Sequence, residues 1–429
     1  MTLKLLILGV LAMILLIPAQ MIKNIVNERE ERRNEVVSEI NSKWGIRQII
    51  RGPVLTIPYL KFYKSGNEEH SIKDYLHVLP EELNVEGVIN PETRYRGMYK
   101  VITYQSALDF SGSFSAPDFQ KIGISRENLL LNEAFLSLGI SDMKGINRPI
   151  DIAFDGQNIR SSPGTSLPDL LNSGVSAFID LKDPEENSFR FSIDLNGSES
   201  LKISPIGKKT VINLNSSWAT PSFEGDFLPD DRNVTDKGFD ARWEILDLNR
   251  NFPQQWTGNN FTFNDTGVGV SLLFPVDIYQ KSERSVKYAI MFLSLTFVIF
   301  FFIEVINKKR IHPVNYLLVG AALCLFYSLL ISLAEQFGFG LSYIIASTAT
   351  IGLISIFSGF LFNNRKIGLI LALCLALLYL YLYIILQLQD YSLLMGSIGL
   401  FFILGILMYF SKRISWENTS STENLTSNG

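Results

Sequence analysis

Hydrophobic and polar positions divide the chain into apolar runs and one long segment of mixed character. Six apolar runs of about 20 residues have no charge near their centres, at about 3–22, 286–306, 314–334, 341–362, 367–388 and 392–410. Each is long enough to cross the roughly 30 Å hydrocarbon core of a bilayer as an α-helix. The pattern therefore predicts a multi-pass α-helical membrane protein with six transmembrane helices, one N-terminal and five C-terminal.

The first run has a competing interpretation as a cleaved signal peptide. Its uncharged part, residues 5–22, has 18 residues, whereas the apolar region of a signal peptide has roughly 7–15. Ala19 lies between Pro18 and Gln20, so no small-x-small cleavage site closes the run. We therefore expect residues 1–22 to form an uncleaved transmembrane anchor.

Between the first and second runs lies a segment with the composition of a soluble domain, residues 23–285. Its first part, residues 23–44, has apolar residues three to four positions apart, which is the period of an α-helix with one apolar stripe. Beyond Gly45 the period changes to two, which is typical of antiparallel strands with one buried face. We therefore predict a large all-β, sandwich-like domain that follows an N-terminal helix.

Alternating runs place the strands of this domain, and the clearest cover residues 102–110, 136–140, 150–154, 175–181 and 268–274. The firmest hairpin signal is Asn196-Gly197, between the runs 189–195 and 201–203, because Asn-Gly tolerates the positive φ of a type I′ turn. The stretch 155–174 is rich in Ser, Pro, Gly and Asn, so a division into two lobes at this stretch is an alternative. The Ser/Thr/Asn-rich tail 414–429 is predicted to be disordered.

Basic residues in the short loops indicate the orientation in the membrane, because Lys and Arg collect on the cytoplasmic side. Seven basic residues lie in alternate short loops and after the last span: Lys308, Lys309, Arg310, Arg365, Lys366, Lys412 and Arg413. The remaining short loops carry Glu335 and Asp390 and no basic residue. We therefore expect both termini in the cytoplasm and residues 23–285 outside it.

Charge and composition exclude several classes of function. Residues 23–285 contain 29 basic and 37 acidic residues, a balance of −8, and the rest of the chain has +4, which gives the total of −4. Binding of nucleic acid needs a Lys/Arg footprint, so we expect no nucleic-acid partner. Cys324 and Cys374 both lie in apolar runs, and the three histidines are scattered, so neither a disulfide framework nor a zinc site is expected.

Three stretches begin like functional motifs and fail at a required position. Residues 164–168 (GTSLP) resemble a nucleophile elbow, but the last residue is proline instead of glycine. Residues 207–210 (GKKT) lack the first glycine of a P-loop. The five aspartates within 226–240 suggest calcium, but Arg242 stands where an EF-hand loop has glutamate. We therefore predict no catalytic residues, no cofactor and no bound metal.

Two acidic residues lie near the ends of predicted spans, where a charge costs less than at the centre of the bilayer. Glu304 is expected near the cytoplasmic end of the second span, with Lys308 as a nearby partner, and Glu335 at the external end of the third. Structural anchoring is the first interpretation of both residues, and a functional role is the alternative. Small residues at every fourth position of the third span favour close helix packing over a pore.

Polar residues also concentrate where the β domain precedes the second span: Asp277, Tyr279, Gln280, Arg284 and Lys287. We expect Arg284 and Lys287 to anchor the chain at the lipid headgroups. The alternative is that this junction couples the orientation of the β domain to the helices.

Several stretches together resemble the CreD family of bacterial inner-membrane proteins. In the β domain these are residues 52–54 (GPV), 221–223 (PSF) and 225–229 (GDFLP). At the membrane entry they are residues 275–277, 279–280, 284–285 and 287–289. The most specific block begins with His312-Pro313 and residues 315–320 (NYLLVG), and continues through residues 326–327 to Ala334-Glu335. The resemblance covers nearly the whole chain and has the same arrangement of one span followed by five.

Two positions depart from the family pattern. Ala219 replaces a proline that usually follows the tryptophan, and Gln336 replaces a histidine that usually follows Glu335. If that histidine served a response to pH, such a response is in doubt here. The candidate functional or anchoring positions are Asp277, Arg284, Lys287, Glu304, His312 and Glu335.

The resemblance implies an inner-membrane protein that supports cell envelope integrity and the response to envelope stress, and it brings no established catalytic residue, cofactor or substrate. We therefore expect a non-enzymatic protein whose periplasmic domain acts on other envelope proteins, with membrane lipids around its helices. The alternatives are a membrane transporter or lipid-handling protein, and a sensor that passes a signal inward.

Overall fold

The computed structural model of the chain describes residues 2–65, 67–184, 186–258, 260–263, 267–272, 278–388 and 391–411. The chain divides into two units. We call the first, Met1–Arg33 with Val276–Gly429, the helical bundle, and the second, Asn34–Pro275, the β domain.

The described residues contain nine α-helices. They are α1 (Thr2–Ile14), α2 (Leu16–Trp44), α3 (Phe119–Ile122), α4 (Ile278–Lys287), α5 (Ala289–Ile306), α6 (Pro313–Phe337), α7 (Phe339–Phe362), α8 (Arg365–Gln387) and α9 (Ser392–Ser411). The break between α1 and α2 at Leu15 has a local cause. Pro18 has no N–H group to donate to the carbonyl of Ile14, so the helical hydrogen-bond ladder is interrupted there.

Five helices within the described residues are long and apolar enough to cross a membrane: Leu6–Trp44, Ala289–Ile306, Pro313–Phe337, Phe339–Phe362 and Arg365–Gln387. Five of the six apolar runs that the hydropathy pattern singled out therefore fall on long apolar helices. The sixth predicted span corresponds to α9, of which the apolar stretch Leu394–Ile406 is shorter than the others. Helix α2 continues well past the predicted end of the first span, which joins the anchor and the predicted helix 23–44 into one element.

Helix α6 is central to the packing of the bundle, because it contacts α1, α4, α5 and α7. Phe326 of α6 packs its ring against Tyr343 of α7 and Tyr379 of α8, with ring centroids 5.5 Å and 4.7 Å away. At Gly320 a Cβ atom would overlap the side chain of Leu15. This glycine of the small-residue stripe therefore lets two helices approach closely, as the spacing predicts.

The β domain contains seventeen strands within its described residues. They are β1 (Gln48–Ser65), β2 (Glu68–Val78), β3 (Glu82–Arg96), β4 (Tyr99–Phe114), β5 (Ala134–Ile140), β6 (Asp151–Phe154), β7 (Gln157–Arg160), β8 (Ser162–Pro163), β9 (Gly174–Ile179), β10 (Asn187–Ser198), β11 (Ser200–Ile203), β12 (Lys209–Ser216), β13 (Pro221–Gly225), β14 (Asp231–Thr235), β15 (Gly238–Leu246), β16 (Gln255–Thr257) and β17 (Val268–Leu272).

These strands form two sheets. Sheet A has the order β13-β17-β11-β1-β5-β9-β8, with β2 paired to β1 and β16 paired to β2. Sheet B has the order β14-β15-β12-β3-β4-β10-β6-β7. One hydrophobic core joins side chains of both sheets, including Leu55 and Leu136 of sheet A and Phe110 and Trp243 of sheet B. The alternating positions point into this core, which is the sandwich that the period of two predicts.

Asn196-Gly197 does not form the predicted hairpin turn. Both residues lie within β10, where Gly197 is opposite Tyr104 of β4, and the chain then crosses from sheet B into β11 of sheet A. The left-handed residue is Glu199, at a φ of 62°. A Cβ atom at position 197 would overlap the Tyr104 side chain. The glycine therefore serves a close approach between strands, which the dipeptide signal cannot distinguish from a turn.

The sheets are also mixed, whereas the alternation favoured antiparallel pairing. β1 pairs in parallel with β11, and β3 pairs in parallel with β12. Each parallel pair joins segments that are more than a hundred residues apart. Alternation reports which face of a strand is buried and contains no information about the direction of its neighbour, so these pairs could not be read from it.

Candidate functional site

The junction predicted from sequence is a short helix, α4, that precedes the second span. Asp277 lies outside the described residues, so its predicted role stays a prediction. Tyr279, Lys281, Ser282 and Ser285 are buried. Since these buried positions follow the period of a helix, α4 lies with one face against the bundle and is not a free linker.

The first contact of α4 is with the end of α6. The hydroxyl group of Tyr279 donates a hydrogen bond of 3.1 Å to Glu335. The other carboxylate oxygen of Glu335 lies 3.9 Å from the guanidinium of Arg29 in α2. The Glu335 side chain is only 9% exposed. Glu335 therefore joins three helices, which supports its interpretation as an anchoring residue.

A second contact of α4 is with the end of α8. The guanidinium of Arg284 donates hydrogen bonds of 2.9 Å and 3.4 Å to the carbonyl oxygens of Leu388 and Ile385. These carbonyls belong to the last turn of a helix, where they lack helical partners and favour a positive charge. Sequence analysis expected Arg284 at lipid headgroups, but in the structure its guanidinium caps α8.

Lys281 was missed by the sequence analysis, although it lies one turn before Arg284. Its ammonium donates a hydrogen bond to the side chain of Gln387 and lies 5.6 Å from the centre of the Phe339 ring. Burial, followed by the nearby Arg284 charge, lowers the pKa of Lys281. A lysine in a helix with few apolar residues gives no sequence signal of burial, which explains why it was overlooked.

The third contact of α4 is an ion-pair group around Glu283. Its carboxylate lies 3.6 Å from the ammonium of Lys23 in α2 and 3.2 Å from that of Lys287. Lys287 is thus held by its i,i+4 neighbour, in addition to any headgroup contact. We call the whole set the junction cluster, and its members are Lys23, Arg29, Tyr279, Lys281, Glu283, Arg284, Lys287, Glu335 and Gln387.

Glu304 lies in a separate group near the other end of α5 and α6. It is 7% exposed and forms an ion pair with Lys4 of α1. It also accepts hydrogen bonds from the Tyr316 hydroxyl at 2.7 Å and from the main-chain N–H of Ile311 at 3.2 Å. We call Lys4, Glu304, Ile311 and Tyr316 the anchor cluster, because they attach the N-terminal helix to α5 and α6.

The partner that the sequence suggested for Glu304 is wrong. Lys308 is exposed, and the charge that meets the carboxylate comes from Lys4, three hundred residues earlier. Nearness in sequence favoured Lys308, but the chain leaves the helical path there, with a φ of 52° at this residue. The signal that could have found Lys4 is its position, as the one charged residue at the start of an apolar run.

His312 has a structural role at the start of α6. It is the N-cap residue, and its Nδ1 accepts a hydrogen bond of 3.3 Å from the main-chain N–H of Val314. Pro313 follows at the first helical position, where its missing N–H costs nothing. The His312-Pro313 pair therefore starts the helix that contains both Tyr316 and Glu335.

The five aspartates of the suggested calcium stretch are exposed, and they lie in β14, in the start of β15 and in the turns beside these strands. The carboxylate of Asp230 accepts a hydrogen bond of 2.7 Å from the main-chain N–H of Glu244. Within the described residues no group of three or more His, Cys, Asp and Glu side chains has the geometry to hold a metal ion. The aspartates are thus placed as exposed and turn-forming residues of one edge of sheet B.

Known proteins match nearly the whole length of the chain. Residues 1–417 match the family model described as inner membrane protein CreD. The inner membrane protein CreD of Escherichia coli strain K12 is 30% identical over 414 residues, which cover 94% of this chain and 91% of that protein.

Among solved structures, the M1 zinc metallopeptidase of Deinococcus radiodurans aligns over 38% of each chain, with 8% identity and a TM-score of 0.20. That similarity is too low to carry an argument about fold or activity. The family match, by contrast, extends over the β domain and the apolar helices together. The chain belongs to the CreD family of inner membrane proteins.

Proposed function

We propose that this protein supports the integrity of the cell envelope and its response to stress, without turnover chemistry of its own, by acting through the β domain on the periplasmic side. The proposed partners are other envelope proteins and the surrounding lipids. Both termini are then cytoplasmic, in line with the seven basic residues of the alternate loops.

The junction cluster is the observation that carries this proposal. The chain enters the β domain through α2 and leaves it just before α4. Lys23 and Arg29 of α2 are paired with Glu283 of α4 and Glu335 of α6. Arg284 connects α4 to α8. The segment before the β domain, α2, and the segment after it, α4, are therefore bonded to each other and both to α6. This arrangement suits a protein that holds an external domain or transmits force from it.

Replacement of Arg284 and Lys287 by glutamine tests this role. The double variant loses the guanidinium charge that caps the carbonyls of α8 and the ion pair between Lys287 and Glu283. We expect it to lose tolerance to envelope stress at normal protein levels. The matched control is Lys121→Gln with Lys237→Gln, which removes two exposed cations of the β domain. Unchanged tolerance in the junction variant, with normal expression and insertion, would contradict the proposal.

Reporter fusions test the orientation separately. Alkaline phosphatase should be active when it is fused near Asn172, an exposed position in the β domain, and inactive when it is fused to the C-terminus. The reverse pattern would refute the orientation and the periplasmic placement of residues 23–285 together.

One observation favours the lipid-handling alternative. An open groove of about 430 Å³ lies between α6 and α7, and its lining includes the hydroxyl groups of Ser328, Ser332 and Thr350 among apolar side chains. Leucine at positions 328 and 332 would narrow it and replace two of its hydroxyl groups with apolar carbon atoms. If these substitutions abolish stress tolerance while the junction variant retains it, lipid handling becomes the better account.

A further inference from the structure

The hairpin of β1 and β2 extends beyond its neighbours in sheet A. On the β1 side, the last main-chain contact with another element in the described part of the chain is the β-bridge of Tyr59. On the β2 side, it is the hydrogen bond of 3.1 Å that the N–H of Gly258 donates to the carbonyl of Tyr75. We call the part beyond these contacts, residues 60–65 and 68–74, the hairpin arm.

The hairpin arm exposes apolar side chains on both of its faces. Phe62 and Tyr63 are neighbours in β1, so they lie on opposite faces, and they are 50% and 46% exposed. Ile72 of β2 is 47% exposed. The Tyr63 ring stacks on His70 across the hairpin, with 5.7 Å between centroids. Because an isolated two-stranded hairpin is at best marginally stable in water, an arm with this composition favours a partner.

The β2 edge of the arm has open main-chain groups. The N–H and C=O of one strand residue point to the same side, and every second residue shares that side. Since Tyr75 faces Gly258, away from β1, the main-chain groups of Glu69, Ser71 and Lys73 also point away from β1. Among the described residues these groups have no main-chain partner. Residues 68–74 are therefore an open edge, with Ser71 at its centre, and such an edge pairs readily with another strand.

The charges along this edge fit a second copy of the same edge. Two identical antiparallel strands form their hydrogen bonds only when outward-pointing residues face each other, so a two-fold axis between them passes through one residue position. With the axis at Ser71, Glu69 of each copy comes opposite Lys73 of the other. With the axis at either neighbour of Ser71, neither Glu69 nor Lys73 meets an opposite charge.

The same register extends charge pairs that each copy already has. Lys64 is opposite Glu69 within the hairpin, and Lys73 forms an ion pair with Glu133. A pairing about Ser71 therefore produces a row of alternating charge that runs from Lys64 and Glu69 of one copy to Lys73 and Glu133 of the other. Opposite charges across strands stabilise a sheet.

One pair of like charges is opposite in this register, Glu68 and Asp74. It lies at the ends of the open edge, and the charge of Asp74 is already met within its own copy. Its carboxylate is 3.7 Å from the ammonium of Lys61 and accepts a hydrogen bond of 3.1 Å from the Tyr59 hydroxyl. The repulsion is therefore offset.

We propose that two copies of this protein pair through β2, antiparallel and symmetric about Ser71, so that sheet A continues from one copy into the other. The pairing adds about six main-chain hydrogen bonds. It also places Ile72 of each copy opposite His70 of the other, beside the Tyr63 ring. This inference goes beyond the proposed role in envelope integrity and does not depend on it.

Cysteine crosslinking of the full chain in native membranes tests the register. Ser71→Cys places two cysteines across the axis with Cα atoms about 5.5 Å apart, a distance that a disulfide spans. We expect a covalent dimer under mild oxidation, formed at least about tenfold faster than with Ser188→Cys, which alters an exposed serine of sheet B. The unsubstituted chain measures any background from Cys324 and Cys374. Equal rates for the two variants, or a crosslink of residue 71 to a different protein, would overturn the proposal.

Ser71→Pro separates pairing from folding. The N–H of residue 71 faces away from β1, so proline removes no hydrogen bond within one copy but removes two between copies. Sedimentation of the full chain in detergent should give twice the mass of one chain for the unsubstituted protein and a single mass for Ser71→Pro, with unchanged circular dichroism. If the charges only protect the edge from pairing, the unsubstituted protein is monomeric throughout the micromolar range, and the inference is wrong.

Charge exchange tests the pairing of Glu69 with Lys73. Glu69→Lys places like charges opposite each other at both symmetric positions and should weaken the dimer at least about threefold. Adding Lys73→Glu exchanges the two charges and should recover part of the affinity. The matched control Glu186→Lys alters an exposed glutamate outside the arm and should have no effect. Equal effects of the 69 and 186 substitutions would rule out this register.

Discussion

The hydroxyl group of Tyr279 donates a hydrogen bond of 3.1 Å to the buried carboxylate of Glu335. The two residues are 56 positions apart, and the contact places α4, the helix before the second apolar span, against the end of α6. Arg29, at 3.9 Å from the same carboxylate, is the weaker partner, because its side chain is 41% exposed and the ion pair is long.

This difference predicts the order of two substitutions. Tyr279→Phe should lower the free energy of unfolding by about 1–3 kcal/mol, since a hydrogen bond to a charged, buried group is lost. Arg29→Gln should cost less than about 1 kcal/mol. The measurement is an SDS titration of the full chain in mixed micelles. A larger loss for Arg29→Gln would contradict the assignment of Tyr279 as the main partner.

The anchor cluster predicts that Lys4, which is distant from Glu304 in sequence, contributes more to stability than the nearby Lys308. Lys4→Gln should lower the free energy of unfolding by about 1–3 kcal/mol, between the values for exposed and fully buried ion pairs, because Glu304 loses its charged partner. Lys308→Gln, the matched control, should leave stability unchanged. The same SDS titration checks both variants. Equal losses of stability would indicate that Lys308, as the sequence suggested, is also a partner of Glu304.

Gly197 allows a test of why a glycine stands there. Gly197→Asn should destabilise the β domain by at least about 1–3 kcal/mol, because any side chain overlaps Tyr104 and overpacking a core costs this much. A hairpin turn would predict a small effect, since asparagine tolerates positive φ. Gly267→Ala is the control, because its Cβ would meet its nearest neighbour at an ordinary 3.5 Å. Thermal unfolding followed by circular dichroism gives the comparison.

Buried His77 predicts a dependence of stability on pH. Its pKa is about 4 in the folded state, against about 6.5 in the unfolded chain. The unfolded state therefore binds more protons between these values, and stability should fall as pH falls through that window, by about 2 kcal/mol from pH 7 to pH 5. Unfolding followed by tryptophan fluorescence measures it, since Trp256 lies against His77.

His77→Gln should remove this part of the pH dependence, because glutamine does not titrate. His70→Gln is the matched control: His70 is exposed, and the dependence should persist. If both variants retain the full dependence, other groups cause it.

Much of the architecture could be predicted from the sequence, because apolar length and period are local properties. The alternation in β10 correctly placed Phe191 and Ile193 in the core, and the apolar run correctly placed α6. What failed depends on partners far along the chain. Tyr104 on the neighbouring strand decides whether Gly197 forms a turn or allows a close approach between strands. The packing of α1 against α5 decides whether Glu304 pairs with Lys308 or with Lys4.

The same limit applies to the candidate site. Arg284 and Lys287 were predicted as polar residues at a junction, and Glu335 was predicted at the external end of the third span. The structure brings all three into the junction cluster. Their individual partners, such as the Leu388 carbonyl for Arg284, lie on helices that follow much later in the chain. Asp277 lies outside the described residues, and the functional roles of the set stay predictions.

The position of β17 has a consequence for the order of assembly. This last strand lies inside sheet A, between β11 and β13, and β11 in turn pairs with the first strand, β1. Sheet A thus cannot close until residue 272 has been synthesised, only a few residues before α4 begins. Until then the strands that are synthesised earlier have unpaired edges, and such a partly folded state folds slowly and is prone to aggregation. With the periplasmic placement that we propose for this domain, its first strands would therefore depend on a chaperone until the last strand is exported.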